Sequence, residues 1–517
     1  MSKSFVKNAG VLAVSVIIAK VLGAVYRIPL TAIIGAEGMG LYQFVYPVFA
    51  LILTLSSGAV PNAIGITVSE KLALGDENGA KKSFSTALTI CLLIGTVGMF
   101  VLAAIAYPVS LAQSKDAFYG YMAVAPAVLI VTLISAFRGW FMGHGNLVPN
   151  SISQITEGIV KLGVGLGLTS YLIRFGVKYA VVGALLGVVA SEFVTLVIMT
   201  IYYLVKHKKF EKVNIKEEKP TMKRLASLAV PLIACGMILP ISQFLDSLLV
   251  TNLLKWGGKA GPIAEYGLWS GVVTPLINLP VMVCISLGIA VTPQMVEGKQ
   301  KRDIDFILEK AATANKLTYL MGVPFVFFYL FMANGIVNLL FPSLSAEQSG
   351  TAVMLLMIGS PSVIGLSIFQ IYSAMLQGLD RAVAPVKIMG TCMAVKLVLT
   401  FVLTPTLGII GCAVAAAVGY LGSGIWITIY FANYAALDAE YGKNASMITL
   451  CGAIMGVLIF MSGKLQRSWA AVAVIGVIAG IVYFLAVLTL KVFSREELKS
   501  LPLSGLLIKI NDKINGG

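Results

Sequence analysis

The sequence has 517 residues, of which 58% are hydrophobic and only 12% are charged, and its mean hydropathy is +0.92. Soluble globular chains carry about a quarter charged residues, so this composition excludes an ordinary soluble domain and predicts a polytopic membrane protein. The formal net charge of +15 would suggest a nucleic-acid partner in a soluble chain. Here most basic residues lie in loops between apolar runs, where they set topology and meet anionic membrane lipids, so we predict no nucleic-acid partner.

Apolar runs long enough to cross a membrane predict about fourteen helices and no β-barrel, since no long alternating pattern occurs. The runs are 9–34, 41–66, 83–108, 117–142, 151–173, 179–205, 225–251, 265–291, 307–332, 350–377, 385–405, 409–434, 447–463 and 469–491. The first run is too long for a secretory signal peptide and has no clear cleavage site. An even count places both termini on one side, and the lysine-rich loop 206–224 predicts that this side is cytoplasmic.

A weak internal repeat links the two halves of the chain. Pro126, Gly143, Pro149 and Lys161 recur 235 or 236 positions later as Pro361, Gly378, Pro385 and Lys396. The repeat predicts two pseudo-symmetric six-helix lobes around a central cationic cavity, followed by two extra helices. The predicted boundaries are 1–205 for the N-terminal lobe, 206–224 for a basic cytoplasmic linker, 225–434 for the C-terminal lobe, 435–491 for spans 13 and 14, and 492–517 for a cytoplasmic tail.

Cysteine and histidine usage predicts neither disulfides nor a metal site, and no cofactor is expected. All six cysteines lie within apolar runs without a Cys-x-x-Cys motif, which is typical of small packing residues: Cys91, Cys235, Cys284, Cys392, Cys412 and Cys451. The two histidines, His144 and His207, stand at loop positions.

The first apolar run carries two cations on one helix face. Lys20 lies near its middle and Arg27 follows seven residues later, which returns to nearly the same side of a helix. A charge at the bilayer centre costs about 2.5–3.5 kcal/mol, so we expect this face to line a polar cavity that receives an anion. Snorkelling to the interface is an alternative for Arg27. Arg138 and Lys161 are further candidate anion contacts, although a lipid head-group contact explains Arg138 equally well.

Five cations and three acids lie within or near the predicted spans: Lys20, Arg27, Arg138, Lys161 and Lys396, against Glu157, Glu192 and Asp246. The surplus of cations suits an anionic ligand. Glu157 and Lys161 are four positions apart on one helix, so they could instead neutralise each other. Glu192 is expected to pair with a cation on a neighbouring helix or to carry a coupling proton. Asp246 and Lys396 are predicted to form an ion pair in the second lobe, with a coupling or a structural role.

No catalytic motif occurs in the sequence. There is no Walker A motif, no Gly-x-Ser-x-Gly and no His-Glu-x-x-His. The chain is therefore predicted not to be an enzyme and not to hydrolyse ATP. A membrane glycosyltransferase or ligase is a rival class, but the loops hold no cluster of carboxylates that such chemistry usually needs.

Three segments resemble the polysaccharide-transporter branch of the multidrug/oligosaccharidyl-lipid/polysaccharide exporter superfamily. They are AKVLGAVYRIPLTAIIGAEGMGLYQFVYP at 19–47, LSSGAVPNAI at 55–64 and RGWFMGHGNLVPNSISQITEGIVK at 138–161. Within the branch the chain is most similar to stage V sporulation protein B-like proteins and Gram-positive MurJ-type lipid II flippases.

The resemblance implies a bacterial plasma-membrane flippase that moves an undecaprenyl-pyrophosphate-linked saccharide outward by alternating access. Lipid II, the peptidoglycan precursor, is the leading substrate. It further implies that Lys20 and Arg27 contact the pyrophosphate, and that Asp246 resembles an acid that helps form a sodium site in some relatives. Lys396 stands where sodium-binding members have an acid or amide, and basic residues expected in spans 2 and 8 have no match.

The implied partners are an anionic lipid-linked oligosaccharide, membrane lipids and, as candidates, cell-wall synthesis proteins. Two alternative functions stay open. One is a flippase for another lipid-linked glycan, of a capsule, teichoic or spore-related polymer. The other is an ion-coupled drug antiporter, which would usually require an acidic cavity instead of a cationic one.

Overall fold

The computed structural model describes residues 3–207, 219–435, 440–463, 468–490 and 492. These residues form α-helices joined by short turns, and the described part of the chain contains no β-strand. In chain order the helices of the first half are α1 Lys3–Ser57, α2 Val60–Ala73, α3 Glu77–Gln113, α4 Ala117–Gly143, α5 Val148–Val160, α6 Leu166–Leu172, α7 Val177–His207, α8 Lys219–Gly236 and α9 Ile238–Trp256. Those of the second half are α10 Pro262–Gly267, α11 Thr274–Lys301, α12 Ile304–Leu340, α13 Ala346–Gly359, α14 Ser362–Gly378, α15 Val383–Leu407, α16 Ile409–Ala435, α17 Glu440–Met461 and α18 Trp469–Thr489.

Two π-helical turns interrupt otherwise regular helices. The first, π1, covers Lys161–Gly165 between α5 and α6, and the second, π2, covers Leu268–Val273 between α10 and α11. A π turn contains one residue more than an α turn, which displaces the backbone hydrogen bonds and exposes carbonyl oxygens to other donors. Both π turns contribute to the candidate functional site.

Each of the fourteen apolar runs falls largely on helical residues, so the all-helical fold class is confirmed. The number fourteen is not confirmed, because in the described residues ten helices meet the length and hydropathy expected of a span, or eleven if the bent pair α13–α14 counts as one. Part of the difference arises at α1, which joins two predicted spans. Gly35 has φ 66° and ψ −175° and breaks the helix between them. Glycine adopts this conformation without a Cβ clash.

The chain forms two compact units. The first comprises residues 1–275 and 397–409, and the second comprises 276–396 and 410–517. The predicted linker 206–224 lies mostly outside the described residues, as does the predicted tail apart from residue 492. The predicted lobe boundaries therefore stay predictions.

An aromatic core holds together α3, α4 and α7 in the first unit. The Phe84 ring lies 5.0 Å from the Trp140 ring, 4.9 Å from the Tyr203 ring and 5.4 Å from the Phe137 ring. All four side chains are buried. Such stacked and edge-on contacts add to the hydrophobic stabilisation of the buried surface.

In the second unit, α12 is the central helix and packs on α13, α14, α17 and α18. The Tyr329 hydroxyl donates to the Leu276 carbonyl at 2.7 Å, and the Tyr483 hydroxyl donates to the Leu320 carbonyl at 3.0 Å. These bonds satisfy phenol groups that would otherwise lack a partner in an apolar environment.

The internal repeat is visible in the backbone of two turns. After α4, the Gly145 amide donates to Met142 and the Asn146 amide to Phe141. After α14, at positions 235 residues later, the Asp380 amide donates to Gln377 and the Arg381 amide to Leu376. The central residue has positive φ in both turns, 68° at Gly145 and 59° at Asp380. Two turns with the same hydrogen bonds at this offset support the predicted repeat.

Candidate functional site

Lys161 begins the π1 turn and lies between aromatic rings of α1. Its Nζ atom is 5.2 Å from the ring centroid of Tyr26 and 5.8 Å from that of Tyr46. The Tyr46 ring stacks on Tyr42 at 5.8 Å. An ammonium group over two tyrosine faces is stabilised by cation–π attraction and keeps its three N–H donors free of a fixed carboxylate.

Close glycine contacts fix the position of π1. Gly165 of π1 packs against the Tyr26 ring, where an added Cβ would meet the phenol oxygen at 3.0 Å. An added Cβ on Gly187 of α7 would collide with the Gly165 backbone. The contact of α7 with π1 therefore requires glycine at position 187, and the contact of π1 with α1 favours glycine at position 165.

A salt bridge lies one turn before Lys161. The Arg138 Nη2 atom of α4 is 3.3 Å from Glu157 Oε2 of α5, and Arg138 Nε donates to Ser153 Oγ at 3.3 Å. Glu192 of α7, the helix that packs on α5, is buried and 7% exposed. We call Arg138, Glu157, Lys161 and Glu192 the α5 charge cluster. It places two cations and two carboxyls in the interior of the first unit.

Arg27 and Gln43 of α1 reach the second π turn. Arg27 Nη1 donates to the Gly271 carbonyl at 3.3 Å, and Gln43 Nε2 donates to the Ser270 carbonyl at 2.5 Å. The π2 turn thus presents its displaced carbonyls to two polar side chains of one helix. A single carbonyl uses one of the five N–H donors of a guanidinium, so Arg27 retains donors for a further acceptor.

The remaining predicted site residues lie elsewhere or outside the described side chains. The backbone of Lys20 is in α1, but its side chain lies outside the described residues. Asp246 is buried in α9 of the first unit, and Lys396 is buried in α15 of the second. The Asp246–Lys396 ion pair stays a prediction.

Sequence reasoning missed the aromatic residues and the π turns. One of the two alternatives for Glu157 was to neutralise Lys161 along one helix, whereas its salt bridge is with Arg138. Two features of the sequence could have indicated these aromatic contacts. Tyr26 adjoins Arg27 in sequence, and Tyr42 and Tyr46 are four positions apart, which places them on one helix face. No sequence pattern indicates the π turns. In the described residues, no group of three or more His, Cys, Asp or Glu side chains is placed to bind a metal ion.

The long apolar helices and the ionisable groups buried between them define a multi-pass membrane protein with a transporter fold. The profile of the polysaccharide biosynthesis protein family matches residues 5–299, more than half of the chain. The chain belongs to this family.

Two curated relatives from Bacillus subtilis (strain 168) match nearly the whole chain. Stage V sporulation protein B is 27% identical over 531 residues, covering 98% of this chain and 99% of the relative. Lipid II flippase MurJ is 24% identical, covering 93% of this chain and 95% of the relative.

Among solved structures, an inward-facing multidrug resistance MATE family transporter of the MOP superfamily aligns with a TM-score of 0.70 at 15% identity, covering 81% of this chain and 94% of that chain. The chain therefore has the fold of this transporter.

Proposed function

We propose that the protein is a flippase that moves an undecaprenyl-pyrophosphate-linked saccharide from the inner to the outer leaflet of the bacterial cytoplasmic membrane. The relatives named for sporulation and for lipid II flipping support this reaction class, and their similarity extends over nearly the full chain. Lipid II is the first substrate to test. A glycan of another cell-envelope or spore polymer is the second candidate, favoured by the similarity to a sporulation protein.

The observation that carries the proposal is the pair of partly exposed cations, Lys161 and Arg27, that retain donors in the polar interior of the first unit. A pyrophosphate offers several anionic oxygens and needs donors in a region from which water is largely excluded. Arg27 can form a two-pronged contact with phosphate oxygens, and Lys161 supplies a point charge next to aromatic surface. Lys20 is proposed as a third contact because it lies seven residues before Arg27 on α1.

The two cations that retain N–H donors, Arg27 and Lys161, favour a lipid-linked anion over a cationic drug. The partly exposed ring of Tyr46 is also suitable for contacting a sugar face, which an inorganic anion site would not require. Both termini are proposed to be cytoplasmic, with membrane lipids and cell-wall synthesis proteins as partners.

Binding of undecaprenyl pyrophosphate to the purified protein in detergent tests the proposal. We expect Arg27→Gln and Lys161→Met each to weaken binding at least about tenfold, which corresponds to about 1.4 kcal/mol for a lost charged contact. Lys255→Gln, at an exposed position of α9, is the matched control and should bind like the unsubstituted protein. Equal affinity of all four proteins would contradict the assignment of the anion site.

A further inference from the structure

Arg381 lies in the turn between α14 and α15 and contacts an aromatic ring of another helix. Its Cζ atom is 5.3 Å from the ring centroid of Tyr434, near the end of α16. Both side chains are exposed. A guanidinium over an aromatic face is stabilised by cation–π attraction, and its N–H donors remain available to an acceptor. The ring therefore holds Arg381 in place without occupying its donors.

The acid that adjoins Arg381 in sequence is engaged elsewhere. Asp380 forms a salt bridge with Lys299 of α11. Among the described residues, no salt bridge involves Arg381 or Lys387, the next cation along the chain. These two cations thus keep their charge for a ligand.

Lys387 lies on the exposed side of α15. The exposed side chains of this helix recur at steps of three or four positions, as Val383, Lys387, Thr391, Val395, Val398 and Val402. Beyond Thr391 this stripe is apolar, which is typical of a surface in contact with lipid tails. The helix has 25 residues and is therefore about 37 Å long, which exceeds the hydrocarbon core of about 30 Å. Lys387, in the second turn, is then close to the lipid head groups.

The first repeat has the same contact between a turn and a helix end, but without the cation. Asn146 is the counterpart of Arg381 at the offset of 235, and its side-chain amide donates to the Tyr202 hydroxyl at 3.4 Å. Tyr202 and Tyr434 are equivalent, since each lies 26 residues after the positive-φ glycine that precedes its helix. The packing of the turn on the helix end therefore does not require a charge.

The second cation is also particular to the second repeat. The counterpart of Lys387 is Ile152, at the same offset. A loop charge that only sets topology can stand anywhere in a short loop and needs no contact with an aromatic ring. The two cations of the second repeat therefore serve a ligand that the first repeat does not bind at this place.

We propose that Arg381, Lys387 and Tyr434 form a binding site for the phosphate group of an anionic phospholipid. All three belong to the second unit. Arg381 donates to the phosphate oxygens, Lys387 adds a point charge, and Tyr434 fixes the guanidinium at the level of the head groups, where tyrosine is enriched in membrane proteins.

The position of Lys387 favours a phospholipid over a soluble anion or an acidic peptide. Its side chain lies on the same stripe as Val395 and Val398, along which the acyl chains of a bound lipid can pack. A soluble phosphate or a peptide would make no use of that apolar surface. The site does not depend on the proposed function, because the ligand is a bilayer lipid and not the transported saccharide.

The test is to titrate the purified full-length protein in detergent with phosphatidylglycerol or phosphatidylcholine and to count the bound lipids by native mass spectrometry. We expect phosphatidylglycerol to bind at least about fivefold more tightly, and Arg381→Gln combined with Lys387→Gln to lose this preference. The matched control, Lys301→Gln combined with Lys310→Gln, removes the same charge from two cations that are already in salt bridges with Glu297 and Glu309. This control should keep the preference.

Two substitutions of Tyr434 test the geometry separately from the charge. Tyr434→Phe retains the ring and should bind phosphatidylglycerol like the unsubstituted protein. Tyr434→Leu should weaken binding at least about threefold, because the guanidinium loses its aromatic support. These variants keep the test decisive even if the double substitution prevents folding.

Three results would overturn the proposal. One is an unsubstituted protein that does not prefer phosphatidylglycerol, and another is an equal loss in both double variants, which would indicate bulk charge only. The third is equal affinity of Tyr434→Phe and Tyr434→Leu. Displacement of phosphatidylglycerol by an equal concentration of glycerol 3-phosphate or of an acidic peptide would also contradict a lipid site, since neither has acyl chains.

Discussion

Lys161 shows how a partly buried cation is held without a salt bridge to a carboxylate. Its Nζ atom contacts the faces of Tyr26 and Tyr46, while the nearby Glu157 is engaged by Arg138 at 3.3 Å. A lysine in a direct salt bridge would have to break that bond to bind an anion. Aromatic faces stabilise the charge while leaving its donors available, which suits a group that binds and releases its ligand in each cycle.

His144 gives a residue-level prediction outside the membrane-spanning helices. It caps the end of α4, and its ring Nδ1 atom lies 3.0 Å from the Trp140 carbonyl. Burial lowers the pKa of the imidazole below its usual value of about 6.5, and the contact with the Trp140 carbonyl does not fully offset that effect.

The unfolded chain then binds more protons than the folded one below about pH 6.5, so stability falls as the pH falls through this range down to the lowered pKa. We expect thermal unfolding in detergent to shift to lower temperature from about pH 7.5 to about pH 5.5, and His144→Gln to reduce that shift. An identical shift in both proteins would assign the pH dependence to other groups.

At the scale of single elements, the contact between π1 and α7 sets the position of the charge cluster. Gly187 meets the Gly165 backbone so closely that an added methyl group must separate the two elements. Gly167, two residues after Gly165 in α6, has open space around it and is exposed. Gly187 and Gly167 therefore allow a comparison of a glycine in close contact with a glycine in open space.

Gly187→Ala should lower the unfolding temperature and weaken binding of undecaprenyl pyrophosphate, because the displaced π1 turn carries Lys161. Gly167→Ala should leave binding unchanged and keep or raise the unfolding temperature, since alanine favours a helix by about 1 kcal/mol over glycine. The test is to measure the unfolding temperature and the affinity for undecaprenyl pyrophosphate of both variants. Reversed or equal effects would show that the close contact does not position the site.

The helices themselves could be predicted from the sequence, and the interior contacts could not. Every apolar run of the sequence lies largely on a helix, since a long apolar segment in lipid must satisfy its backbone internally. The spacing of Lys20 and Arg27 predicted a shared face, but no spacing shows that Arg27 donates to the Gly271 carbonyl of π2. Such a bond depends on a π turn set by packing between distant helices.

The balance of charges within the membrane-spanning helices was likewise not predictable from the sequence. The prediction of a cationic surplus counted Lys20, whose side chain lies outside the described residues, and Lys396, which belongs to the second unit. Of the predicted residues, the described side chains of the first unit include Arg27, Arg138 and Lys161 together with Glu157, Glu192 and Asp246, so the two signs balance there.

For the whole molecule, the two repeats share a backbone plan but differ in their charges. The turns after α4 and α14 have the same hydrogen bonds, and α3 and α12 each have 37 residues. Each begins at an aspartate cap, Asp76 and Asp303. Yet the Arg138–Glu157 salt bridge has no counterpart at the equivalent Ser373 and Cys392. We infer that the repeats supply a common scaffold, and that the first has specialised in binding the anionic group.

The proposed function of this protein is the movement of a lipid-linked saccharide to the outer leaflet. The most direct test is to deplete the endogenous lipid II flippase of a bacterium, express this protein in its place, and measure the lipid II accessible at the outer face. We predict restored accessibility with the unsubstituted protein and none with Lys161→Met at equal abundance in the membrane. Equal restoration by both proteins would contradict the role of Lys161, and no restoration by the well-expressed unsubstituted protein would contradict lipid II as its substrate.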